Sequence, residues 1–307
     1  MVPSTATFSK FCSAMENHLH LHHHPPSQPE PEAFRVEVSS SLDRLLPSLD
    51  QDSRFLSLSW AKQCLGILHS MNGAFMKLAA QMDHSVNRWE ADLVESYLSY
   101  SLNLLELLNS ISSCLSHLGQ SRLSLSHALS FLGSSPSAAA DRLAPIQPQE
   151  AQLKELGTDG ERVCHGKEMV IHKALRLMEG IAYWECGAVL SALSGDPKAY
   201  LKTRKWAIGS ENSSLIGVDL EVHEVILRKG CVLREVEEIN ESVACLVAAI
   251  QKEGEEERVC AAAEMLQTKL KGFEKLTEEI SEEVDHLFSE ILRSRNEVID
   301  CLRIHKQ

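Results

Sequence analysis

Apolar residues recur at alternating steps of three and four along two stretches between Ser53 and Leu118. The first stripe is Trp60, Cys64, Ile67, Met71, Ala74 and Leu78, and the second is Leu93, Tyr97, Tyr100, Leu104, Leu107, Ile111, Cys114 and Leu118. Such steps keep side chains on one face of an α-helix, which turns once every ~3.6 residues. A polar break at 81–85 separates the stripes. The pattern predicts an antiparallel helix pair that buries its stripes against further helices.

The same periodicity continues to the C-terminus and predicts an all-α fold. Gly119 is expected to end the second helix, and a short helix is expected at 123–132. Longer helices are predicted near 167–193, over 220–250 with a kink at Gly230, and from about 257 onward. The apolar stripe of the last helix is wider than the two positions per seven residues that form the interface of a coiled coil. This width favours an elongated bundle of long antiparallel helices within one chain over a dimeric coiled coil.

Breaks in the pattern divide the chain into four parts. Residues 1–40 are rich in Ser, Thr, Pro and His, so they are predicted to be a disordered tail that stability does not require. An N-terminal helical hairpin region is expected over 41–133. Gly133 and the prolines at 136, 145 and 148 make 134–148 a linker. The C-terminal helical region, 149–307, is expected to pack on the first into one bundle.

Composition limits the classes of function. Of the 307 residues, 44% are hydrophobic and 5% aromatic, which suits helices packed through aliphatic side chains. A net charge of −13 repels nucleic acid, so no nucleic-acid partner is expected. The nine cysteines are scattered without C-x-x-C spacing, and we interpret them as free thiols in a reducing compartment.

The most apolar window of the chain is 181–193. It is shorter than the ~20 residues that a membrane span needs, and it contains Glu185. We therefore expect a buried core helix here and at most peripheral contact with a membrane. Trp60 and Trp89 lie in or beside apolar stripes and are also expected to be buried.

A basic cluster follows this window and is the candidate interaction site. It consists of Lys198, Lys202, Arg204, Lys205 and Trp206. One interpretation is a solvated connector whose charges pair with the acidic body of the protein. The other is a patch that docks on an anionic lipid surface or on a phosphorylated partner.

No pattern for catalysis, a cofactor or a strong metal site emerges. His223-Glu224 lacks the second histidine of a zincin motif, and Cys164-His165 are neighbours in sequence without evidence that they face each other. Glu283-x-x-His286 has no second copy on a matching helix. The histidine run at 18–24 suggests at most weak metal binding. We expect a protein that is not an enzyme and has no cofactor.

Short motifs bracket the chain from about residue 40 to its end. They are Phe55-Leu56-Ser57-Leu58-Ser59-Trp60, Trp89-Glu90, Leu104-Leu105-Glu106-Leu107-Leu108-Asn109, the segment 283–288 and the segment 295–303. This set resembles the plant BYPASS family and its ROH-type relatives. The resemblance implies a regulatory protein of root and shoot development that restrains a root-derived mobile signal and acts by helix-mediated protein binding.

The resemblance also leaves alternatives open. One is a secretion adaptor that binds an exocyst subunit, and another is a binding protein or enzyme for small molecules of the carotenoid pathway. The expected location is cytoplasmic, with peripheral association on endomembranes as an extension, and the chloroplast is the alternative.

Overall fold

Most of the described part of the chain is helical. A computed structural model describes residues 30–45, 56–81, 89–147, 149–151, 153, 166–252 and 256–304. These residues contain no strand, which confirms the predicted all-α class. The helices are α1 (Glu30–Asp43), α2 (Leu58–Gln81), α3 (Ala91–Ser130), α4 (Pro136–Ala140), α5 (Gly166–Ser194), α6 (Lys198–Ile208), α7 (Ser213–Lys229), α8 (Arg234–Ile250) and α9 (Glu256–Ile304).

Four long helices form the centre of the bundle. α5 and α9 each pack against both α2 and α3, so the two predicted stripes are buried as expected. Two of these helices are unusually long: α3 has 40 residues and α9 has 49. At 1.5 Å per residue they measure about 60 and 74 Å.

Aromatic rings fill one end of the core. Trp60 and Trp89 are 1% and 7% exposed, which confirms their predicted burial. Trp89 meets Tyr97 edge-on with ring centroids 5.3 Å apart, and Phe75 of α2 stacks on Tyr97 of α3 at 6.2 Å. Such contacts add about 0.5–1.5 kcal/mol each beyond the area that they bury.

The predicted tail over 1–40 is wrong for its last eleven residues, because α1 begins at Glu30. Phe34, Val38 and Leu42 recur every four residues along α1 and are 4%, 2% and 0% exposed. They pack toward α2, α5 and α7. Pro31 does not prevent this helix, because the first turn requires no backbone N–H from it. The remainder of the predicted tail lies outside the described residues.

The predicted linker 134–148 is partly structured. It contains α4, whose N-terminus is capped by the Ser135 hydroxyl accepting from Ala138 N. Further on, the Asn240 side chain accepts from Ile146 N at 2.7 Å and donates to Ile146 O at 3.1 Å. This pair of hydrogen bonds fixes the segment to α8.

Two predicted helix boundaries are also wrong. α3 runs through Gly119 to Ser130, since a glycine inside a helix costs only about 0.5–1 kcal/mol and the stripe continues beyond it. The single helix predicted over 220–250 is two helices, α7 and α8. Gly230 separates them with φ +82°, a left-handed conformation that ends α7.

The apolar window 181–193 lies within α5 and is buried along its whole length, which confirms the core-helix prediction. Among the described residues, no helix combines the length and the apolar character needed to cross a bilayer. Cys64, Cys114, Cys186 and Cys231 are buried free thiols, whereas Cys245 and Cys260 are exposed.

Candidate interaction surface on helix α6

The basic cluster forms helix α6 and is not an irregular connector. Gly195, at φ +69°, turns the chain after α5, and the Asp196 carboxylate accepts from Lys198 N at 3.0 Å in the first turn of α6. α6 then packs between α5 and α7. Its side chains therefore have fixed directions, set by 100° steps around the helix axis.

One face of α6 combines lysines with exposed apolar side chains. Leu201 is 51% exposed and Ile208 is 62% exposed. The spacings of three and four place these residues beside one another on a single side of the helix. We call this surface the α6 lysine face, and it consists of Lys198, Leu201, Lys202, Lys205 and Ile208.

The three lysines of this face differ in their partners. Lys198 Nζ lies 2.8 Å from Glu150 and 3.2 Å from Asp196, which raises the pKa of its ammonium group. Lys202 and Lys205 form no ion pair with a described residue. Lys205 Nζ lies 5.7 Å from the ring centroid of Trp206. Two ammonium charges of the face thus remain available to a partner.

The other two residues of the predicted site have different roles. Arg204 turns toward α7, where its Nε donates to Asp219 Oδ2 at 2.9 Å. Trp206 is half-buried and meets Tyr183 of α5 edge-on at 4.9 Å. The structure therefore does not bring the five predicted residues together, because Arg204 and Trp206 attach α6 to the bundle.

Asp219 is the centre of a buried polar network that the sequence analysis missed. It is 1% exposed and accepts from Trp184 Nε1 at 2.9 Å and from the Tyr200 hydroxyl at 2.7 Å, in addition to Arg204. Burial, followed by the hydrogen bond to Asp219, raises the pKa of Tyr200. Because all three donors meet one carboxylate, α5, α6 and α7 have fixed relative positions.

Backbone proximity also holds α6. A Cβ atom on Gly187 of α5 would lie 1.9 Å from Thr203 Oγ1 of α6. Only glycine permits this approach. The α6 lysine face is therefore presented by a rigidly packed helix.

The N-terminal motif of the sequence analysis has a structural role at the start of α2. Ser57 Oγ accepts from Trp60 N at 3.2 Å, which makes Ser57 the N-terminal cap of α2. Leu58 N donates to the buried Glu235 carboxylate at 3.1 Å, and Arg234 N donates to Leu56 O at 3.0 Å. The motif thus joins α2 to α8.

The remaining chemical candidates from the sequence are dispersed. Cys164-His165 and the histidine run lie outside the described residues. His223 lies 6.1 Å from Tyr200, ring to ring. His286 of α9 lies near His69 of α2 and Glu290, and not in a site with Glu283.

A small cleft lies between α1 and α2. It encloses about 10 Å³ and is lined by Glu37, Val38, Ser41, Ile67, Ser70, Met71 and Ala74. Such a space holds about one water molecule.

Comparison with known proteins finds distant plant relatives. UPF0496 protein 4 of Oryza sativa subsp. japonica is 26% identical over 282 residues, which cover 83% of this chain and 61% of that protein. Its counterpart in Oryza sativa subsp. indica is 26% identical over 237 residues, covering 69% and 52%. Protein BPS1, chloroplastic, of Arabidopsis thaliana is 34% identical over 96 residues, covering 31% and 27%.

The chain therefore spans less than two thirds of the length of each of these relatives. No protein-family model matches the chain, and no solved structure matches it. These similarities support a plant group that includes UPF0496 proteins and BPS1, without assigning the chain to a particular member.

Proposed function

We propose that this protein is a non-enzymatic plant regulatory protein of root and shoot development, which acts by binding a protein partner through the α6 lysine face. The distant relationship to BPS1 and the motifs that resemble the BYPASS family support the developmental role. The observation that carries the binding role is that Lys202 and Lys205, which form no ion pair within the described part of the chain, lie beside the exposed Leu201 and Ile208.

The chemistry of the face defines the partner. Apolar side chains next to ammonium groups suit a protein segment with carboxylates or phosphates around an apolar centre. The chain as a whole is acidic, with a net charge of −13 that includes the lysines of α6. It therefore repels such a segment and favours approach from the α6 side. An exocyst subunit is one candidate partner from the resemblance.

The test is complementation in a plant that lacks this protein. Lys202→Glu with Lys205→Glu should fail to restore root and shoot growth, because both ammonium groups of the face become carboxylates. The matched control is Lys271→Glu with Lys275→Glu, which makes the same charge change on exposed positions of α9. Wild type and control should restore growth.

Full restoration by the α6 variant, at equal protein level and equal helix content by circular dichroism, would overturn the proposed role of this face. Purified wild type and both variants should also be titrated with the exocyst subunit. Binding lost in the α6 variant alone would identify that partner.

We also propose a cytoplasmic location with at most peripheral membrane contact, and the chloroplast remains the alternative suggested by the name of BPS1. A fluorescent protein at the C-terminus distinguishes them, because chloroplast import would place the signal inside plastids. Release of the protein from membranes by high salt would support peripheral contact, since salt screens charges beyond about 8–10 Å.

A further inference from the structure

Three side chains with metal-binding atoms meet on the surface between α2 and α9. His69 lies on α2, whereas His286 and Glu290 lie four residues apart on one face of α9. One ligand atom from each residue can be chosen so that all three atoms lie within 4.8 Å of one another. The two imidazole rings are 5.1 Å apart, centroid to centroid.

Two of these atoms are buried and unsatisfied. His69 Nδ1 and Glu290 Oε2 lie 2.7 Å apart, yet their orientation meets no hydrogen-bond geometry, and neither has another hydrogen-bond partner. An ordinary ion pair would align the N–H with the oxygen. A metal ion bound to both atoms would satisfy them without this alignment.

A neighbouring side chain orients the carboxylate. Asn72 is 2% exposed, and its Nδ2 donates to Glu290 Oε1 at 2.8 Å. This hydrogen bond leaves Oε2 directed at His69. Partners of this kind fix ligand orientation in protein metal sites, and their loss typically weakens metal affinity tenfold to a hundredfold.

We propose that His69, His286 and Glu290 bind a divalent transition metal ion of the Zn²⁺ class, which links α2 to α9. Two imidazoles and one carboxylate are a ligand set that Zn²⁺ accepts. Ligand atoms on one such ion lie about 3 to 3.5 Å apart, as expected from metal–ligand distances of about 2.0–2.2 Å. To reach this spacing, His69 Nδ1 and Glu290 Oε2, now 2.7 Å apart, would separate slightly, and the exposed His286 side chain would rotate. A fourth position stays open to water.

The test uses the full chain with the five histidines at positions 18, 20, 22, 23 and 24 changed to glutamine, because that run can bind metal itself. Titration calorimetry with Zn²⁺ at neutral pH should detect one equivalent. His69→Gln and His286→Gln should each weaken binding at least tenfold. His127→Gln, an exposed histidine at the end of α3, is the matched control and should bind as the background does.

A second readout is stability. At free Zn²⁺ a hundredfold above Kd, the unfolding equilibrium constant of the background should fall about a hundredfold, and the thermal midpoint should rise. In both ligand variants, whose binding is at least tenfold weaker, the unfolding equilibrium constant should fall no more than about elevenfold, and the rise of the thermal midpoint should be correspondingly smaller. Equal binding in all four proteins would overturn the proposal, as would a Co²⁺ spectrum dominated by thiolate charge transfer. The two substituted histidines lie on different helices, so if one variant fails to fold, the other still tests the proposal.

Discussion

Glu185 offers the sharpest test of how the core is organised. Its side chain is 0% exposed in the middle of α5, and neither carboxylate oxygen has a hydrogen-bond partner among the described residues. Burial raises its pKa well above 4.5. An ionised carboxylate without a partner in such surroundings costs far more than protonation does. We therefore expect Glu185 to remain protonated in the folded protein at pH values where the unfolded chain ionises.

This difference in protonation has a definite sign. Above pH ~4.5 the unfolded chain has released the Glu185 proton while the folded protein retains it, so unfolding releases a proton. The contribution of Glu185 to the free energy of unfolding then falls by about 1.4 kcal/mol per pH unit, until the pH reaches the folded pKa. Below pH ~4 both states are protonated and the effect disappears.

Glu185→Gln keeps the size of the side chain and removes its ionisation. The variant should match wild type near pH 4 and become progressively more stable than wild type as the pH rises toward the folded pKa of Glu185. Glu185→Leu should be more stable than wild type throughout, because it also removes the unsatisfied polar group, which costs about 1–3 kcal/mol.

Urea unfolding at pH 5, 6, 7 and 8, followed by circular dichroism, measures these differences. Glu221→Gln is the control, since it makes the same substitution at an exposed position of α7. A constant difference between wild type and Glu185→Gln over this range would show that Glu185 is ionised in the folded protein.

Three further predictions concern the packing of the bundle. Gly187→Ala should lower the thermal midpoint strongly, because the new Cβ atom would overlap Thr203. The control is Gly73→Ala, which should stabilise α2 by about 0.5–1 kcal/mol because no atom lies near its new Cβ. Asp219→Ala should cost about 3–5 kcal/mol in urea unfolding, because it leaves an arginine and two buried donors without their acceptor. Phe34→Ala should cost about 3 kcal/mol by the same measurement, and an unchanged stability would mean that α1 is not part of the core.

Local periodicity was sufficient to predict most of the helices. A step of three or four depends only on neighbouring residues, so the stripes of α2, α3, α5 and α9 are visible in the sequence. The apolar pattern did not predict α1, because prolines lie near both of its ends and only three apolar residues, Phe34, Val38 and Leu42, recur along it. The break at Gly230 was placed correctly but interpreted as a kink, since sequence does not show whether a glycine adopts a left-handed conformation.

The candidate site was only partly predictable for a similar reason. The basic cluster was identified from its residue types alone, and these do not show in which direction each side chain points. Once 198–208 is known to be helical, steps of 100° place Lys198, Lys202 and Lys205 on one side and Arg204 on another. The partner of Arg204 is Asp219, fifteen residues away, and the partner of Glu290 is Asn72, 218 residues away. Contacts at such separations depend on how helices pack, and a single sequence does not encode this in a readable form.

The way α6 is attached bears directly on how it binds. Its inner side is fixed by the Asp219 network and by the close approach of Gly187 to Thr203, while its outer side carries exposed leucine, isoleucine and lysine side chains. A rigid helix loses little backbone entropy when a partner binds, so more of the contact energy appears as affinity. Disturbing the inner side should then weaken partner binding without touching the outer one. Arg204→Gln separates these effects, because it leaves the lysines in place and removes the contact with Asp219. We expect it to reduce partner affinity in proportion to how much it loosens α6. Amide hydrogen exchange of the α6 backbone measures that loosening.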